Sequence, residues 1–119
     1  MAIHRRPNPF GLSFSLSTSV QGPGTTIYLS GVIGPGDTLG EQADACFDAI
    51  EETLKGYGAS LQDVAHLTTY LTGLDEYAEF SRVRGERFAG ALPSSSAVQV
   101  AGLLMGALVE IDAVAFLDA

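Results

Sequence analysis

Along residues 12–20 larger and small polar side chains alternate: Leu12, Phe14, Leu16 and Thr18 against Ser13, Ser15, Ser17 and Ser19. A period of two predicts a half-buried strand over Leu12–Val20. Gln21-Gly22-Pro23-Gly24 reads as a turn and Thr25–Ser30 as a second β-rich run, so the two are predicted to form a hairpin. After Gly31–Asp37 the period changes. Ala43, Cys46, Phe47, Ile50 and Leu54 recur at helical spacing, while Asp44, Asp48, Glu51, Glu52 and Lys55 take the other face. Thr38 and Glu41 have capping-box spacing at the start. The result is an amphipathic helix of about four to five turns, ended near Gly56 or Gly58.

Asp63–Thr72 returns to strand composition with Val64, Leu67, Thr68, Thr69, Tyr70 and Leu71. Gly73-Leu74-Asp75 turns, with Asp75 as expected N-cap. A second helix is predicted over Glu76–Gly90, with Tyr77, Phe80, Val83 and Phe88 inward and Arg82, Arg84, Glu86 and Arg87 mostly outward. Leu92–Ala101 and Ala107–Phe116 then read as two apolar strands joined by a glycine-containing turn. The order is β-β-α-β-α-β-β. Strand-helix-strand segments favour parallel pairing and the terminal strand pairs can be hairpins. An α+β fold follows, with a mixed sheet and both helices on one face. Residues 1–11 read as an extended or mobile lead-in and 12–119 as a single domain.

The other sheet face has little of the chain left to cover it, although strands such as Val109–Phe116 are apolar on both sides. Composition points the same way: 46% of residues are hydrophobic and 17% charged, where about 25% charged is usual. Self-association, sheet face against sheet face, is the expected solution.

Net charge is -8, and the cations are Arg5, Arg6, Lys55, Arg82, Arg84 and Arg87. Nucleic-acid binding rests on neutralising phosphates with Lys and Arg, so it is not expected. No apolar run reaches the roughly 18–20 residues of a membrane span. No signal peptide is visible in residues 1–11, and a cytoplasmic protein is the simplest expectation. The single Cys46 falls in a helical pattern, which favours packing over reactivity. His4, His66 and Cys46 lie in unrelated places, so no metal site is expected.

Polar groups among buried strand residues are the places to look for chemistry, because an unsatisfied one costs about 1–3 kcal/mol. Ser95, Gln99, Glu110 and Asp112 are such residues. Glu110 and Asp112, two apart on a strand, share a face at about 7 Å. They could split their pKa values as acid and base, or sit hydrogen-bonded at a subunit boundary. Ser94-Ser95-Ser96 lacks a nucleophile elbow, and His66 is its only internal candidate base. Gly34-Pro35-Gly36 carries neither a dinucleotide fingerprint nor a P-loop and reads as a turn.

Several blocks together resemble one family: Tyr28-Leu29-Ser30-Gly31, Gly58–Val64, Thr68–Thr72, Pro93–Val100 and Val109–Ala115. In this order and spacing the chain resembles the Rid family (YjgF-like, reactive intermediate deaminases) from about Leu12 onward. The resemblance implies a chorismate-mutase-like fold and a homotrimer whose sheets line a central β-barrel, with small-molecule sites in the clefts between subunits. It implies hydrolysis of 2-imino or enamine acids to 2-keto acids and ammonia, with no cofactor and no metal. It also implies that Glu110 is the catalytic residue, positioning water or the imine nitrogen, and that the backbone of Gly31 faces the ligand. Phe14, Phe88, Ala97 and Gln99 join the expected ligand contacts.

One position departs from the pattern. Deaminating members read Pro-Ala-Arg-Ser where this chain has Pro93-Ser94-Ser95-Ser96, so Ser95 replaces the arginine that grips the substrate carboxylate. A neutral hydroxyl cannot reproduce that charged fork, and the loss should cost about 2–5 kcal/mol. The expectation is a trimer binding a small, non-anionic or weakly anionic imine, enamine or carbonyl compound, with ordinary 2-imino acid deamination weak or absent. Two alternatives stand beside it. One is an active 2-iminobutanoate/2-iminopropanoate deaminase using Arg87, Arg5 or Arg6, and the other is a non-catalytic, chaperone-like trimer.

Overall fold

In the computed structural model, which describes residues 2–119, the chain runs β1 (Ile3–Arg6), β2 (Ser17–Val20), β3 (Gly24–Val32), α1 (Leu39–Lys55), β4 (Val64–Leu71), α2 (Tyr77–Arg87), β5 (Ser94–Gln99) and β6 (Val109–Asp118). Strands β3, β6, β4 and β5 form a mixed sheet in that spatial order. Strand β6 is antiparallel to both β3 and β4, while β4 and β5 are parallel. A right-handed α2 crossover between β4 and β5 is the ordinary way to make that parallel pair.

The α1 reading holds in detail. Thr38 is the N-cap and its side chain accepts from Glu41 N at 3.1 Å. The Glu41 carboxylate reaches back one residue further than a capping box requires, to Asp37 N at 2.8 Å. The helix is capped by Gly56, and Gly58 at φ +74 occupies the left-handed region that glycine adopts without strain. Ala43, Cys46, Phe47, Ile50 and Leu54 are buried against Phe80 and Val83 of α2 and against Leu67, Ile111 and Ala113 of the sheet. Helix α2 starts from Glu76 with no side-chain cap, so Asp75 does not cap it.

Neither expected hairpin forms. Strand β2 pairs with β1 in a separate antiparallel ribbon, and β3 pairs instead with the long β6. The Ser17–Val20 strand has almost no apolar surface to bury in a sheet interior, whereas β6 offers a buried residue at every second position. Residues 12–16 are not strand. Ser13 is tied to α2 and Ser15 to the 92–93 backbone, through Ser15 N to Pro93 O at 2.9 Å. At the other end, residues 100–108 carry the chain past β4, which lies between β5 and β6.

Both helices cover the sheet face that carries Leu67, Leu71, Ile111 and Ala113. The opposite face is partly covered by the β1–β2 ribbon, where Ile3 joins Ala65 and Phe116 in a small second cluster. The rest is open: Tyr28 is 80% and Val98 45% exposed. No helix among the described residues is long and apolar enough to cross a membrane.

Candidate functional site

Glu110 and Gly31 meet where β6 passes the end of β3. The β3–β6 register shifts between Leu29 and Val32, a bulge that brings Gly31 over the glutamate. A Cβ built on Gly31 would stand 2.5 Å from Glu110 Oε2. The backbone and the carboxylate approach that closely only because residue 31 has no side chain. Glu110 has no cation within ion-pairing distance among the described residues. Its neighbour across the ladder is Tyr70, whose hydroxyl donates to Asp112 Oδ2 at 3.1 Å. Asp112 raises the Tyr70 pKa, first through that bond and then through its charge, with burial and Glu110 adding smaller pushes. Glu110, Asp112 and Tyr70 thus share one face, as the alternation of a strand requires.

Ser95 lies on the other face. It pairs in register with Leu67, which also pairs with Ala113, and both of these are core residues beneath the helices. Its hydroxyl accepts from Arg84 Nη1 at 3.0 Å. Arg84 is 1% exposed and so buried, contrary to the outward placement expected from its charge. Its Nε and Nη2 donate to Ser13 Oγ at 3.2 and 2.9 Å, and Nη2 also donates to the Tyr77 hydroxyl at 2.8 Å. The guanidinium lies 5.0 Å from the rings of Phe14 and Phe80 and 5.7 Å from that of Tyr77. Aromatic faces stabilise a cation through their quadrupoles. No carboxylate among the described residues pairs with it.

Phe14 is half-buried over the Arg84 guanidinium. Ala97 packs against the core edge of β5, and Gln99 at the strand end is exposed. Phe88 is 2% exposed and stands edge-on to Phe47 at 5.2 Å, so it faces the core. Arg87 and Arg5 are committed elsewhere. Arg87 approaches Asp44, Asp48 and Glu51 on α1, and Arg5 donates to the carbonyls of Leu92 and Gln62. His66 Nδ1 lies 2.7 Å from Ser94 Oγ, which also contacts Thr18 and the Ala65 carbonyl, so this serine is held in a structural network. Cys46 is fully buried, donates to the Val32 carbonyl at 3.3 Å, and has its pKa pushed up to about 12, mainly by burial and also by Glu110.

Arg84 is the residue that the sequence reading misplaced. The spacing contained the signal: Phe80, Arg84 and Phe88 are successive i, i+4 positions on one stripe, and the flanking two are buried. Its charge argued the other way, since arginine is seldom fully buried. Pairing was equally hidden, because its acceptors Ser13 and Ser95 come from opposite ends of the chain.

A single chain does not bring Ser95 and Glu110 together. Strands β3 and β5 are the two edges of the sheet, and the side chains of Ser95 and Glu110 leave opposite faces.

Comparison with known proteins agrees with the fold. The family model described as Endoribonuclease L-PSP matches residues 12–117. A RutC family protein of Pyrococcus abyssi is 36% identical over 73% of this chain and 68% of its own length. The 2-iminobutanoate/2-iminopropanoate deaminase of Mus musculus is 32% identical over 76% of this chain and 73% of its own. Among solved structures, a member of the YjgF/YER057c/UK114 family from Mycobacterium tuberculosis is 27% identical with a TM-score of 0.77, covering 97% of this chain and 99% of that one. A Rid-family protein of unknown function from Yersinia pestis has a TM-score of 0.87 at 24% identity, covering 98% and 100%, which speaks for the fold.

Proposed function

Given that the chain belongs to the Endoribonuclease L-PSP family, the Rid or YjgF-like proteins, we propose that it binds a small imine, enamine or carbonyl intermediate in clefts between copies of itself. Its hydrolysis of ordinary 2-imino acids is weak or absent. The observation that carries this is the Ser95–Arg84 arrangement. At the position where deaminating members present an arginine, this chain has the half-buried Ser95, and the guanidinium that its hydroxyl meets is 1% exposed. A buried fork cannot make two parallel bonds to a substrate carboxylate.

The other half of the machinery is retained. Glu110 is an uncompensated carboxylate held beside the bare backbone of Gly31. It can accept a proton from a water molecule as that water adds to the C=N carbon and pass it to the nitrogen, giving a carbinolamine. The hydroxyl proton then moves by the same carboxylate to the amine nitrogen as the C–N bond breaks, so that ammonia leaves and a carbonyl remains. No cofactor or metal is needed for that exchange. Homotrimer formation is part of the proposal, supported by the open sheet face with exposed Tyr28 and Val98 and by the separation of Ser95 from Glu110 within one chain.

The test couples the protein to an enzyme that releases 2-aminoacrylate or 2-iminobutanoate and measures ammonia. Negligible acceleration is expected. Rapid release that disappears in Glu110→Gln would overturn the weak-activity reading. Sedimentation should give three times the 12.4 kDa chain mass; a stable monomer would remove the cleft.

A further inference from the structure

Arg84 is a buried cation with no buried anion. The chain has 14 acidic residues, and Arg87, three positions on, approaches carboxylates of Asp44, Asp48 and Glu51. Arg84 approaches none. Its charge is met only by hydroxyl dipoles and ring faces. Guanidinium keeps its proton in proteins, so a net positive field is left in this part of the molecule.

The proton count at Ser95 sets where that field goes. Ser13 Oγ accepts twice from Arg84, and its own proton has Ser81 Oγ at 2.7 Å to go to. Ser95 Oγ accepts from Arg84 Nη1 and has no other hydrogen-bond partner among the described residues. Its proton is therefore not committed to another group among the described residues. The second N–H of Nη1 also lacks an acceptor among them. Ser95 is only half-buried whereas Arg84 is 1% exposed, so of the two it is Ser95 that can meet a ligand.

We propose that Arg84 is a positioning and specificity residue that acts through Ser95. By occupying the serine lone pair from behind, it makes the hydroxyl an outward donor polarised by a cation, which selects ligands presenting one anionic oxygen. This rests on the cleft reading above and departs from the non-anionic ligand expected from the sequence: the ligand presents an anionic oxygen, held at a single point. A ligand oxygen on Ser95 would lie roughly 5 to 6 Å from the guanidinium, counting two successive hydrogen bonds. At that distance attraction persists but the two-point grip is lost.

The probes are 2-oxobutanoate and its neutral amide, 2-oxobutanamide, titrated into the intact protein by NMR at low salt. The carboxylate should bind about tenfold more tightly than the amide. Ser95→Thr, which keeps the hydroxyl, should retain the preference, while Ser95→Ala and Arg84→Met should reduce it to within about twofold of unity. Should Arg84→Met not fold, the Ser95 pair decides alone. Equal affinities in the unaltered protein, or a preference that survives Ser95→Ala, overturn the inference and leave the cleft reading standing. Binding of neither compound overturns both.

Discussion

The carboxylate of Glu110 lies against the backbone of Gly31, so closely that a methyl group at position 31 would stand 2.5 Å from Oε2. Gly31 is not among the residues with positive φ, so the glycine is required by space and not by backbone conformation. The obstacle is the far end of a flexible side chain. Gly31→Ala should therefore fold, with a stability change within about 1 kcal/mol, while turning the carboxylate aside. Any activity or ligand affinity that depends on Glu110 should fall about as far in Gly31→Ala as in Glu110→Gln. Parallel ligand titrations and urea melts of both variants check this; a Gly31→Ala protein with unchanged affinity would separate the glutamate from the ligand.

Arg84 makes an unusual prediction about conservative substitution. Lysine keeps the charge but not the fork, so Arg84→Lys would leave an ammonium among three rings with fewer of the four present hydrogen bonds. Methionine removes the charge and fills similar space. Replacing a buried ionic group by a well-packed apolar one is often neutral, whereas leaving a buried charge short of partners is not. Arg84→Lys should be the less stable variant by about 1–3 kcal/mol. Chemical denaturation of the two proteins side by side measures the difference, and a more stable lysine variant would refute the account.

How much of this was legible before the structure depends on the scale of the interaction. Helix α1 was legible because a period of 3.6, a capping Thr38 and a terminal glycine all act within a few residues. The four main strands were found for the same local reason. The partners of β2 and β3 were not, because pairing was decided by β6 at the far end of the chain. Strand β1 was hidden in the polar run Ile3-His4-Arg5-Arg6, which has little strand character until β2 lies beside it. Glu110 stood out as a polar residue on an apolar strand and through the family resemblance, yet its contact with Gly31 depends on a bulge that spacing does not announce. Arg84 shows the opposite case: its position on the Phe80–Phe88 stripe was visible, and the general rule that arginines face water outweighed it.

Tyr70 and Asp112 give a spectroscopic handle on the open sheet face. The tyrosine pKa is raised above its ordinary 10.0 because Asp112 accepts its proton in a hydrogen bond and adds negative charge nearby. Ionising Tyr70 would break that bond and put two anions together. Asp112→Asn keeps an acceptor but removes the charge, so it should lower the Tyr70 pKa toward 10.0. A ring-carbon NMR titration resolves Tyr70 from Tyr28, Tyr57 and Tyr77. An unchanged midpoint would mean that Asp112 does not sit on the hydroxyl in solution.

Cys46 links the core to alkaline pH. Its thiol is fully buried, and its pKa is pushed from 9.0 to about 12, first by burial and then by the Glu110 charge. Because the folded protein holds this proton more tightly than the unfolded chain, the stabilisation is fully present below pH 9. It is lost as pH rises from about 9 to about 12, where the unfolded state sheds the proton first. Cys46→Ala lacks the group and should lose less stability across that window, by an amount on the order of a few kcal/mol. Urea melts of both proteins at pH 8 and pH 10.5, a pair of conditions about 2.5 units apart spanning the start of the window, isolate the thiol because every other group is common to the two proteins. Maleimide should label the native thiol at pH 8 far more slowly than the unfolded one, since the thiolate is the nucleophile. Prompt native labelling, or identical pH slopes for the two proteins, would show that the thiol is not held neutral in the core.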